Sequence, residues 1–449
     1  MASFQIIIIG TGIAGLATAI SLSQKTQHQI MILESSPVLT EAGAGIQCSA
    51  AASRVLSSWA LREEFEAVAT CPDFTEIRRY EDNELIGLIP ANVNDYSTRL
   101  RGFPHWVVHR VDYQKILADA ATTRGVKIKF GQKVVVIDVD NVEVTLASGR
   151  SLRADLIIGA DGIHSRTRRS IPALKDVVPR RTENYCYRAL IPREEMLKNP
   201  VTATLIDNQS QQAWAGQFKH IISYPIAKGK FYNLVMTVPD HGDAPLGQYN
   251  EPGDVSEMRQ VFKDFNETVQ AVLDTVGSCA KWVLADLPPL PTWSSPNGRV
   301  ILVGDACHAM APHAASGAAT SLEDAEVLGL CIASCNGIAD LPRAAKDYEH
   351  LRKPRCERIQ EISRENATTF ALPDGPMQEA RDKTWRAQKA MLEKQLQEDT
   401  PLAIPAEDMA QQFPHPALVQ WLVGHDIIEE ARTHLASRKE IHNILQEVR

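Results

Sequence analysis

The sequence predicts an α/β fold in which a parallel sheet is interrupted by a second sheet. Residues 4–34 have the order apolar strand, glycine-rich turn, helix with apolar residues at helical spacing, and apolar strand, which is the order of a βαβ unit. Two later runs, at 156–158 and 300–303, have the uninterrupted apolar composition of buried parallel strands. The strand-like runs within 173–296 follow a different pattern, which predicts an inserted sheet.

The first turn, Gly10-Thr11-Gly12-Ile13-Ala14-Gly15, suits the pyrophosphate of a dinucleotide. Gly10 allows a sharp turn, Gly12 lets the backbone approach a phosphate, and Gly15 lets the helix pack closely on the strand. Backbone N–H groups and the helix dipole then attract the phosphates. Glu34 ends the second strand, where a carboxylate can accept hydrogen bonds from ribose hydroxyls. A glycine turn without a ligand and a solvated glutamate are the alternatives, and the combination of strand, helix and acid favours nucleotide binding.

Two later turns place carboxylates where an open α/β sheet binds ligands. Asp161-Gly162 follows the strand at 156–158, and Gly304-Asp305 follows the strand at 300–303. Each aspartate can accept hydrogen bonds from ribityl or ribose hydroxyls, or order backbone N–H groups. Singly, each would be interpreted as a turn or N-cap aspartate. Together with the glycine turn they predict one pocket for a long dinucleotide, and a flavin held there would be the reactive centre.

The remaining elements are predicted from periodicity and turn residues. Helices are predicted within 111–124, 255–276, 318–364 and 377–397, and strands at 126–130, 134–139, 143–146, 185–191, 221–225 and 231–238. The proline-rich stretch 287–291 is predicted to be a stiff linker, and the tail is predicted to be helical. The helix at 377–397 alternates charge, which indicates a solvated face; covering the second sheet and mediating a dimer are the alternatives.

The composition of the 449 residues limits the partners and the compartment. A net charge of −8 without a long basic run argues against a nucleic-acid surface. The eight cysteines are scattered without a CxxC pair, which predicts reduced thiols and no metal site. No run approaches the roughly 18 apolar residues of a bilayer span. We therefore predict a soluble, cytoplasmic monomer or homodimer that binds no nucleic acid and does not span a membrane.

With these motifs the sequence resembles the class A flavoprotein aromatic monooxygenases, the para-hydroxybenzoate hydroxylase superfamily. Within it, the chain is most similar to the salicylate hydroxylase branch, which includes fungal enzymes of secondary metabolism. The resemblance covers residues 4–370. Its further motifs are Gly43-Ala44-Gly45-Ile46-Gln47, His109-Arg110-Val111-Asp112, Ala306-Cys307-His308, Glu323-Asp324-Ala325 and, beyond that range, Trp421-Leu422-Val423-Gly424-His425-Asp426. In combination these motifs are specific for fold and cofactor, and less so for substrate.

The resemblance implies a Rossmann-like FAD-binding domain, residues 1–172 and 297–372, that is interrupted by a substrate-binding β-sheet domain, residues 173–296. A C-terminal helical segment, residues 373–449, follows. FAD is the predicted cofactor, and NADPH or NADH is the transient co-substrate, since the sequence has no second GxGxxG. The predicted cofactor-binding residues are Gly10, Gly12, Ile13, Ala14, Gly15, Glu34, Ser35, Gly45, Ile46, Arg110, Asp161, Gly304, Asp305, Pro312, Gly317 and Ala318.

Three stretches depart from the pattern of the family. Relatives usually carry Ser-Pro-Asn at Cys48-Ser49-Ala50, Gly-Gln-Gly or Ala-Gln-Gly at Ala315-Ser316-Gly317, and proline at Ala309. The spacing is intact at all three, so the cofactor prediction is retained, while the contacts around the flavin ring stay open.

The reaction that the resemblance implies is oxygen insertion into an aromatic ring. NAD(P)H reduces FAD, O2 adds to form a flavin C4a-hydroperoxide, and an electron-rich substrate takes one oxygen atom. The protein positions the ring and excludes water. Phenols and salicylate-like acids are the expected substrates.

Arg188, His220 and Tyr224 are the predicted catalytic residues. The resemblance places Arg188 toward the substrate or flavin, where a guanidinium can hold a carboxylate, a phenolate or the peroxide. His220 and Tyr224 match a histidine and a tyrosine of relatives that act on hydroxylated rings; packed core residues are the alternative. His308 is predicted to brace a flavin loop and Pro312 to shape the flavin face.

Other activities stay open on the same fold. Indole epoxidation with rearrangement uses the same flavin chemistry. A flavin oxidoreductase without oxygen insertion and a flavin-bound scaffold without turnover are further alternatives. A flavin halogenase is disfavoured, because the Trp-x-Trp-x-Ile-Pro element of those enzymes is missing from the sequence.

Overall fold

The computed structural model describes residues 3–39, 44–95, 98, 102–240, 251–398, 407–408 and 411–447. Gly43, the first residue of one motif, lies outside these ranges. The strands are β1 (Gln5–Ile9), β2 (Gln29–Leu33), β3 (Gly45–Cys48), β4 (Phe74–Arg79), β5 (Leu85–Pro90), β6 (Trp106–His109), β7 (Lys127–Lys129), β8 (Val134–Asp138), β9 (Glu143–Leu146), β10 (Ser151–Arg153), β11 (Leu156–Gly159), β12 (Arg180–Pro192), β13 (Gln211–Ala215), β14 (His220–Ile226), β15 (Phe231–Pro239), β16 (Glu251–Gly253), β17 (Cys279–Asp286) and β18 (Val300–Leu302). The helices are α1 (Ile13–Lys25), α2 (Ala50–Ser58), α3 (Arg62–Val68), α4 (Arg110–Thr123), α5 (Arg166–Ser170), α6 (Arg193–Met196), α7 (Pro200–Asp207), α8 (Val255–Val261), α9 (Glu267–Asp274), α10 (Asp305–His308), α11 (Gly317–Ala333), α12 (Leu341–Phe370), α13 (Pro376–Gln397), α14 (Pro416–Gly424) and α15 (Ile427–Glu447).

The predicted nucleotide-binding strands form one five-stranded parallel sheet in the order β18-β11-β1-β2-β7. β1 pairs with β2 on one side and β11 on the other, and β11 pairs with β18. Successive residues of β1 and β11 are buried, so both faces of the sheet are covered. Strands that are distant in sequence therefore end side by side. This arrangement confirms the predicted α/β class.

The second sheet has eight strands in the order β16-β17-β12-β15-β14-β13-β4-β5. Its neighbouring strands are antiparallel, except that β13 and β4 are parallel. The sequence predicted no strand for β4 and β5. β4 ends in Arg78 and Arg79, and their hydrogen-bond partners Gln212 and Asp374 are far along the chain. The formation of the β4–β5 hairpin therefore depends on partners that are distant in sequence, and local periodicity does not predict it.

Two predicted helical stretches are each divided into two helices. Within 255–276, α8 ends at Val261, and the side chain of Asn266 accepts two backbone hydrogen bonds that start α9. Within 318–364, α11 ends at Ala333 and α12 begins at Leu341. Pro342 lies in the first turn of α12, where its missing N–H breaks no hydrogen bond.

The charged helix α13 packs on the β5 end of the second sheet. Its Trp385 and Leu392 are buried, and the Trp385 ring centroid lies 5.5 Å from that of Phe370. Arg386 donates hydrogen bonds of 2.8 and 2.6 Å to the carboxylate of Glu84. Of the alternatives that the charge pattern left open, covering the sheet is the one that the structure shows.

Candidate active site

The glycine turn between β1 and α1 has the geometry of a phosphate loop. Gly10 has a φ of +105°, and a Cβ there would lie 2.5 Å from the carbonyl oxygen of Ala160. A Cβ on Gly15 would lie 2.1 Å from the carbonyl oxygen of Gly10. In contrast, a Cβ on Gly12 would have no atom of the described residues within 4 Å. Packing therefore requires Gly10 and Gly15, while Gly12 leaves the start of α1 open to an anion.

Glu34 ties the end of β2 to this turn. Its Oε2 accepts hydrogen bonds from Thr11 N at 2.9 Å and Thr11 Oγ1 at 2.7 Å. Its Oε1 accepts hydrogen bonds from Ser36 N at 2.8 Å and Ser35 Oγ at 3.1 Å. Burial raises the pKa of Glu34, but these hydrogen bonds outweigh it, and the pKa is lowered overall. The ionised carboxylate thus orders the turn, and its contact with a ribose stays a prediction.

Asp161 organises the turn after β11. Its carboxylate accepts four hydrogen bonds, from Ser165 Oγ, Arg166 N, Thr167 N and Thr167 Oγ1. Ser165 is the N-cap of α5, and Asp161 accepts hydrogen bonds from the first two N–H groups of that helix. The neighbouring Gly162 lines a large cavity.

Gly304 and Asp305 bring the end of β18 to the glycine turn. Gly304 has a φ of +59°, and a Cβ there would lie 2.6 Å from Cβ of Ala14. Asp305 is exposed and lines the cavity. Desolvation by the surrounding protein atoms raises the pKa of Asp305, against the lowering influence of His308 and Arg110. Asp305 is thus an acceptor for a hydroxyl group inside the cavity.

A cavity of about 480 Å³ joins the cofactor side to the second sheet. The predicted cofactor residues on its wall are Gly12, Ile13, Ala14, Gly45, Ile46, Arg110, Asp305, Pro312, Gly317 and Ala318. The predicted catalytic residues Arg188, His220 and Tyr224 line it from the second sheet. The other predicted cofactor residues, which shape the adjoining turns, are Gly10, Gly15, Glu34, Ser35, Asp161 and Gly304.

The loop before α11 supplies a second open helix terminus. Ser316 Oγ donates a hydrogen bond of 2.7 Å to Ala314 O, and a Cβ on Gly317 would have no atom of the described residues within 4 Å. The departure Ala315-Ser316-Gly317 therefore keeps the N-terminus of the 17-residue α11 open. Two open helix termini, with Asp305 as acceptor and Arg110 as cation, fit the pyrophosphate, ribityl chain and polar ring edge of FAD.

A buried network of Asp324, His308 and Arg352 contacts the backbone of Gly304. Asp324 Oδ2 accepts a hydrogen bond from Gly304 N at 3.0 Å and pairs with His308 Nε2 at 2.5 Å, while Oδ1 accepts from Arg352 Nε at 2.9 Å. Burial opposes the charge, but His308 and Arg352 lower the pKa of Asp324 to about 2. Cys307, His308 and Asp324 have metal-ligand spacing, yet these protein partners already neutralise the carboxylate. His308 braces the loop, as predicted.

Arg188 faces the cavity from the middle of the second sheet. It pairs with Val235 on β15, which in turn pairs with Ile222 on β14. The Arg188 guanidinium lies 4.5 Å from the Trp282 ring centroid. Its Nε has no hydrogen-bond partner among the described residues. Stacking thus positions the guanidinium at the cavity wall, where it can bind an anion.

His220 and Tyr224 are held in neutral form on the same face of β14. Burial and the nearby His313 hold the pKa of His220 well below its usual value, and Nδ1 has no hydrogen-bond partner among the described residues. Burial raises the pKa of Tyr224 to about 12, against the opposing influence of Arg188. A Cβ on Gly45 would lie 2.5 Å from Cε2 of Tyr224, so strand β3 packs directly on this ring.

Three further parts of the cavity wall were not predicted from the sequence: His313, Gln211 and the apolar residues of α14. Burial lowers the pKa of His313 to about 4, and its Nε2 lacks a partner in the described part of the chain. Its position directly after Pro312 was an available signal. Gln211 is 1% exposed, and its Oε1 likewise has no partner within the described ranges. Leu422 and Val423 of α14 lie in the family motif Trp421-Leu422-Val423-Gly424-His425-Asp426, whereas Val419 lies before it.

Comparisons with known proteins agree with this geometry. The family model described as an FAD binding domain matches residues 3–208 and 292–363. FAD-dependent monooxygenase OpS4 from Beauveria bassiana is 32% identical over 97% of this chain and 98% of its own length. 3-Hydroxybenzoate 6-hydroxylase from Klebsiella oxytoca is 33% identical over 85% of this chain and 92% of its own. A salicylate hydroxylase substrate complex superposes with a TM-score of 0.74, at 25% identity over 96% of this chain and 97% of that one. The chain therefore belongs to the FAD binding domain family and is an FAD-dependent monooxygenase.

Proposed function

We propose that this enzyme hydroxylates a phenolic or salicylate-like aromatic ring that binds between FAD and the second sheet. The observation that carries the proposal is the single cavity whose wall combines the FAD-side residues with Arg188, His220 and Tyr224. Bound FAD, reduced by NAD(P)H, supplies the activation of O2. Relatives named for 3-hydroxybenzoate and salicylate support a hydroxylated aromatic acid as substrate.

Arg188 binds the acidic group of the substrate. Its guanidinium is held over Trp282, and its Nε lacks a hydrogen-bond partner among the described residues. A charge-assisted hydrogen bond from the guanidinium to a carboxylate or phenolate orients the ring. Val235 on β15 lies beside Arg188 in the sheet, and Ile222 on β14 lies beside Val235. Both line the cavity, so the aromatic face has an apolar floor.

His220 accepts a hydrogen bond from the phenolic hydroxyl, and Tyr224 donates a hydrogen bond. The lowered pKa of His220 keeps the imidazole neutral, which is the form that can accept this hydrogen bond. The raised pKa of Tyr224 keeps its hydroxyl protonated, so it serves as a donor. Polarising the phenolic O–H bond toward His220 makes the ring more electron-rich at the position that takes the oxygen.

The chain is divided by function as well as by sheet. In this proposal residues 1–172 and 297–372 bind FAD, residues 173–296 bind substrate, and residues 373–449 cover them. β4 and β5, which lie within 1–172, extend the substrate side, since Thr75 and Ile89 line the cavity.

The compartment and the assembly belong to the same proposal. All eight cysteines are free, which is typical of a reducing compartment, and we assign the enzyme to the cytoplasm as a monomer or homodimer. Within the described ranges, no helix combines the length and the apolar composition of a bilayer span.

The deciding experiment measures where the oxygen goes. The FAD-loaded protein is incubated with NADPH or NADH, salicylates, phenols or indoles, and ¹⁸O2. The expected result is accelerated coenzyme oxidation with phenolic substrates and one ¹⁸O atom in the product. Coenzyme oxidation without a labelled product would identify an oxidoreductase that does not insert oxygen. A labelled indole product without phenol turnover would favour epoxidation.

A further inference from the structure

We propose that the C-terminal segment 411–424 forms an apolar subsite that receives an alkyl or aryl substituent of the aromatic substrate. The inference rests on the proposed function. It adds the chemical class of the substituent that the substrate ring carries on the side away from its acidic group. Phe413, Val419, Leu422 and Val423 are its cavity-lining residues. They are called the roof here.

The roof residues point into the cavity, while their neighbours anchor the helix. Val419 and Val423 are four positions apart on α14, so they share one face. Phe413, Val419 and Val423 are partly exposed. Leu418 and Leu422 on the same helix are buried and pack with Ile359 and Ile362. The helix is thus anchored in an apolar cluster, and Val419, Leu422 and Val423 also line the cavity.

The roof adjoins His220, the proposed hydrogen-bond acceptor. The Phe413 ring centroid lies 5.9 Å from that of Phe370, which lies 5.6 Å from that of His220. Only the Phe370 ring therefore separates His220 from Phe413. When a substrate hydroxyl contacts His220, the opposite edge of its ring lies near the roof. Met310, the first cavity residue of the loop before Pro312, packs in the same apolar cluster as α14.

Two arginines fix the roof at the C-terminal end of α14. Arg355 donates hydrogen bonds of 3.1 Å to Trp421 O and 3.0 Å to Leu422 O, and it stacks 4.5 Å from the Trp421 ring centroid. Arg54 donates to Gly424 O at 3.2 Å and His425 O at 2.5 Å. These cations satisfy the last carbonyls of the helix and complement its dipole. The roof is therefore preformed and need not be ordered by the substrate.

An apolar substituent is the occupant that this wall recognises. The described polar cavity residues around the acidic group, Arg188, His220 and Tyr224, belong to the sheet, and the roof presents aliphatic and aromatic carbon. Burying one methylene on such a wall tightens binding about fourfold. When the ring carries no substituent, water fills the space beside the roof. That water can also reach the oxygen-insertion site.

The test compares salicylate with its 4- and 5-methyl, propyl and pentyl derivatives on the FAD-loaded enzyme. Dissociation constants are read from the perturbation of the flavin absorbance spectrum, and KM from coenzyme oxidation. Affinity is expected to rise about fourfold per methylene along at least one series until the subsite is full. Val423→Thr keeps the shape but adds a hydroxyl, so it should remove most of the gain in affinity that the longer chains give.

The matched control is Val178→Thr, because Val178 is 62% exposed outside the cavity wall. Val423→Ala, the second variant, should shift the best chain to a longer one. A flat or falling dependence on chain length, with salicylates still turned over, would overturn the subsite and leave the proposed function intact. Loss of FAD affinity in Val423→Thr with an unchanged alkyl preference would assign the roof to the cofactor and also overturn it. Failure of every ring to bind or to stimulate coenzyme oxidation would overturn both.

Discussion

The imidazole rings of His220 and His313 meet edge to face inside the cavity, with centroids 5.4 Å apart. His220 comes from the second sheet and His313 from the flavin-side loop, so the pair joins the two walls. Burial lowers both pKa values, that of His313 to about 4. The folded protein therefore excludes protons that the unfolded chain binds at the usual histidine pKa of about 6.5.

This proton exclusion predicts an acid-sensitive stability. Between about pH 6.5 and 4 the unfolded state binds more protons, so stability falls as the pH falls. His313→Gln removes one such group and should reduce the slope by up to about 1.4 kcal/mol per pH unit. Thermal unfolding from pH 7 to pH 4 measures it, and His350→Gln, at an exposed position, is the control. Equal slopes in wild type and His313→Gln would show that His313 is not held neutral by the fold.

Alanine substitutions at two glycines of the first turn should have different effects: one on FAD binding alone, the other on both stability and FAD binding. Gly12→Ala meets no atom of the described residues within 4 Å, so folding should survive while the added methyl group obstructs the pyrophosphate. Gly15→Ala places its Cβ 2.1 Å from the carbonyl oxygen of Gly10, so both stability and FAD binding should fall. Flavin titration and thermal unfolding of the FAD-free proteins separate the two effects. FAD affinity of Gly12→Ala equal to that of wild type would place the phosphates elsewhere.

Arg188→Ala should leave FAD bound and reduce kcat/KM for acidic rings about 10- to 100-fold, which corresponds to a lost charge-assisted hydrogen bond. Most of the loss should appear in KM, and Arg188→Lys should restore part of it. Arg153→Ala, where the side chain is 79% exposed, is the matched control. Normal turnover by Arg188→Ala would exclude Arg188 from substrate binding.

His220→Ala and Tyr224→Phe should change opposite limbs of the pH profile. Wild-type activity should fall as acid protonates His220, whose lowered pKa puts that loss below its usual titration range. His220→Ala should be slower by about 100-fold or more and lose this acid limb. Tyr224→Phe removes a hydroxyl with a pKa of about 12, so it should lower activity at every pH and change the shape of the profile only on the alkaline side. Profiles that match wild type in shape would exclude both residues from hydrogen bonding to the substrate.

The parts of the fold that local patterns encode were predictable, and those that depend on distant partners were not. β1 and β11 are continuous apolar runs because each is buried on both faces, and the glycines of the first turn follow from backbone sterics. The hairpin of β4 and β5 depends on pairing with β13. His313 and the roof show no periodic or charge signal of their own. Their role appears only when the flavin-side loop and α14 close over the second sheet.

Asp324→Asn tests whether the buried network maintains the flavin loop. The amide can still accept from Gly304 N, but it cannot neutralise His308 and Arg352, which are 1% and 0% exposed. Breaking a buried ion pair by removing one partner typically costs about 3–5 kcal/mol. We expect a lower unfolding temperature and faster release of FAD, measured by flavin fluorescence. Asp119→Asn is the control, since its ion pair with Lys115 is exposed to solvent and contributes little to stability. If Asp324→Asn lost stability but released FAD at the wild-type rate, the network would support the fold without positioning Gly304 and Asp305.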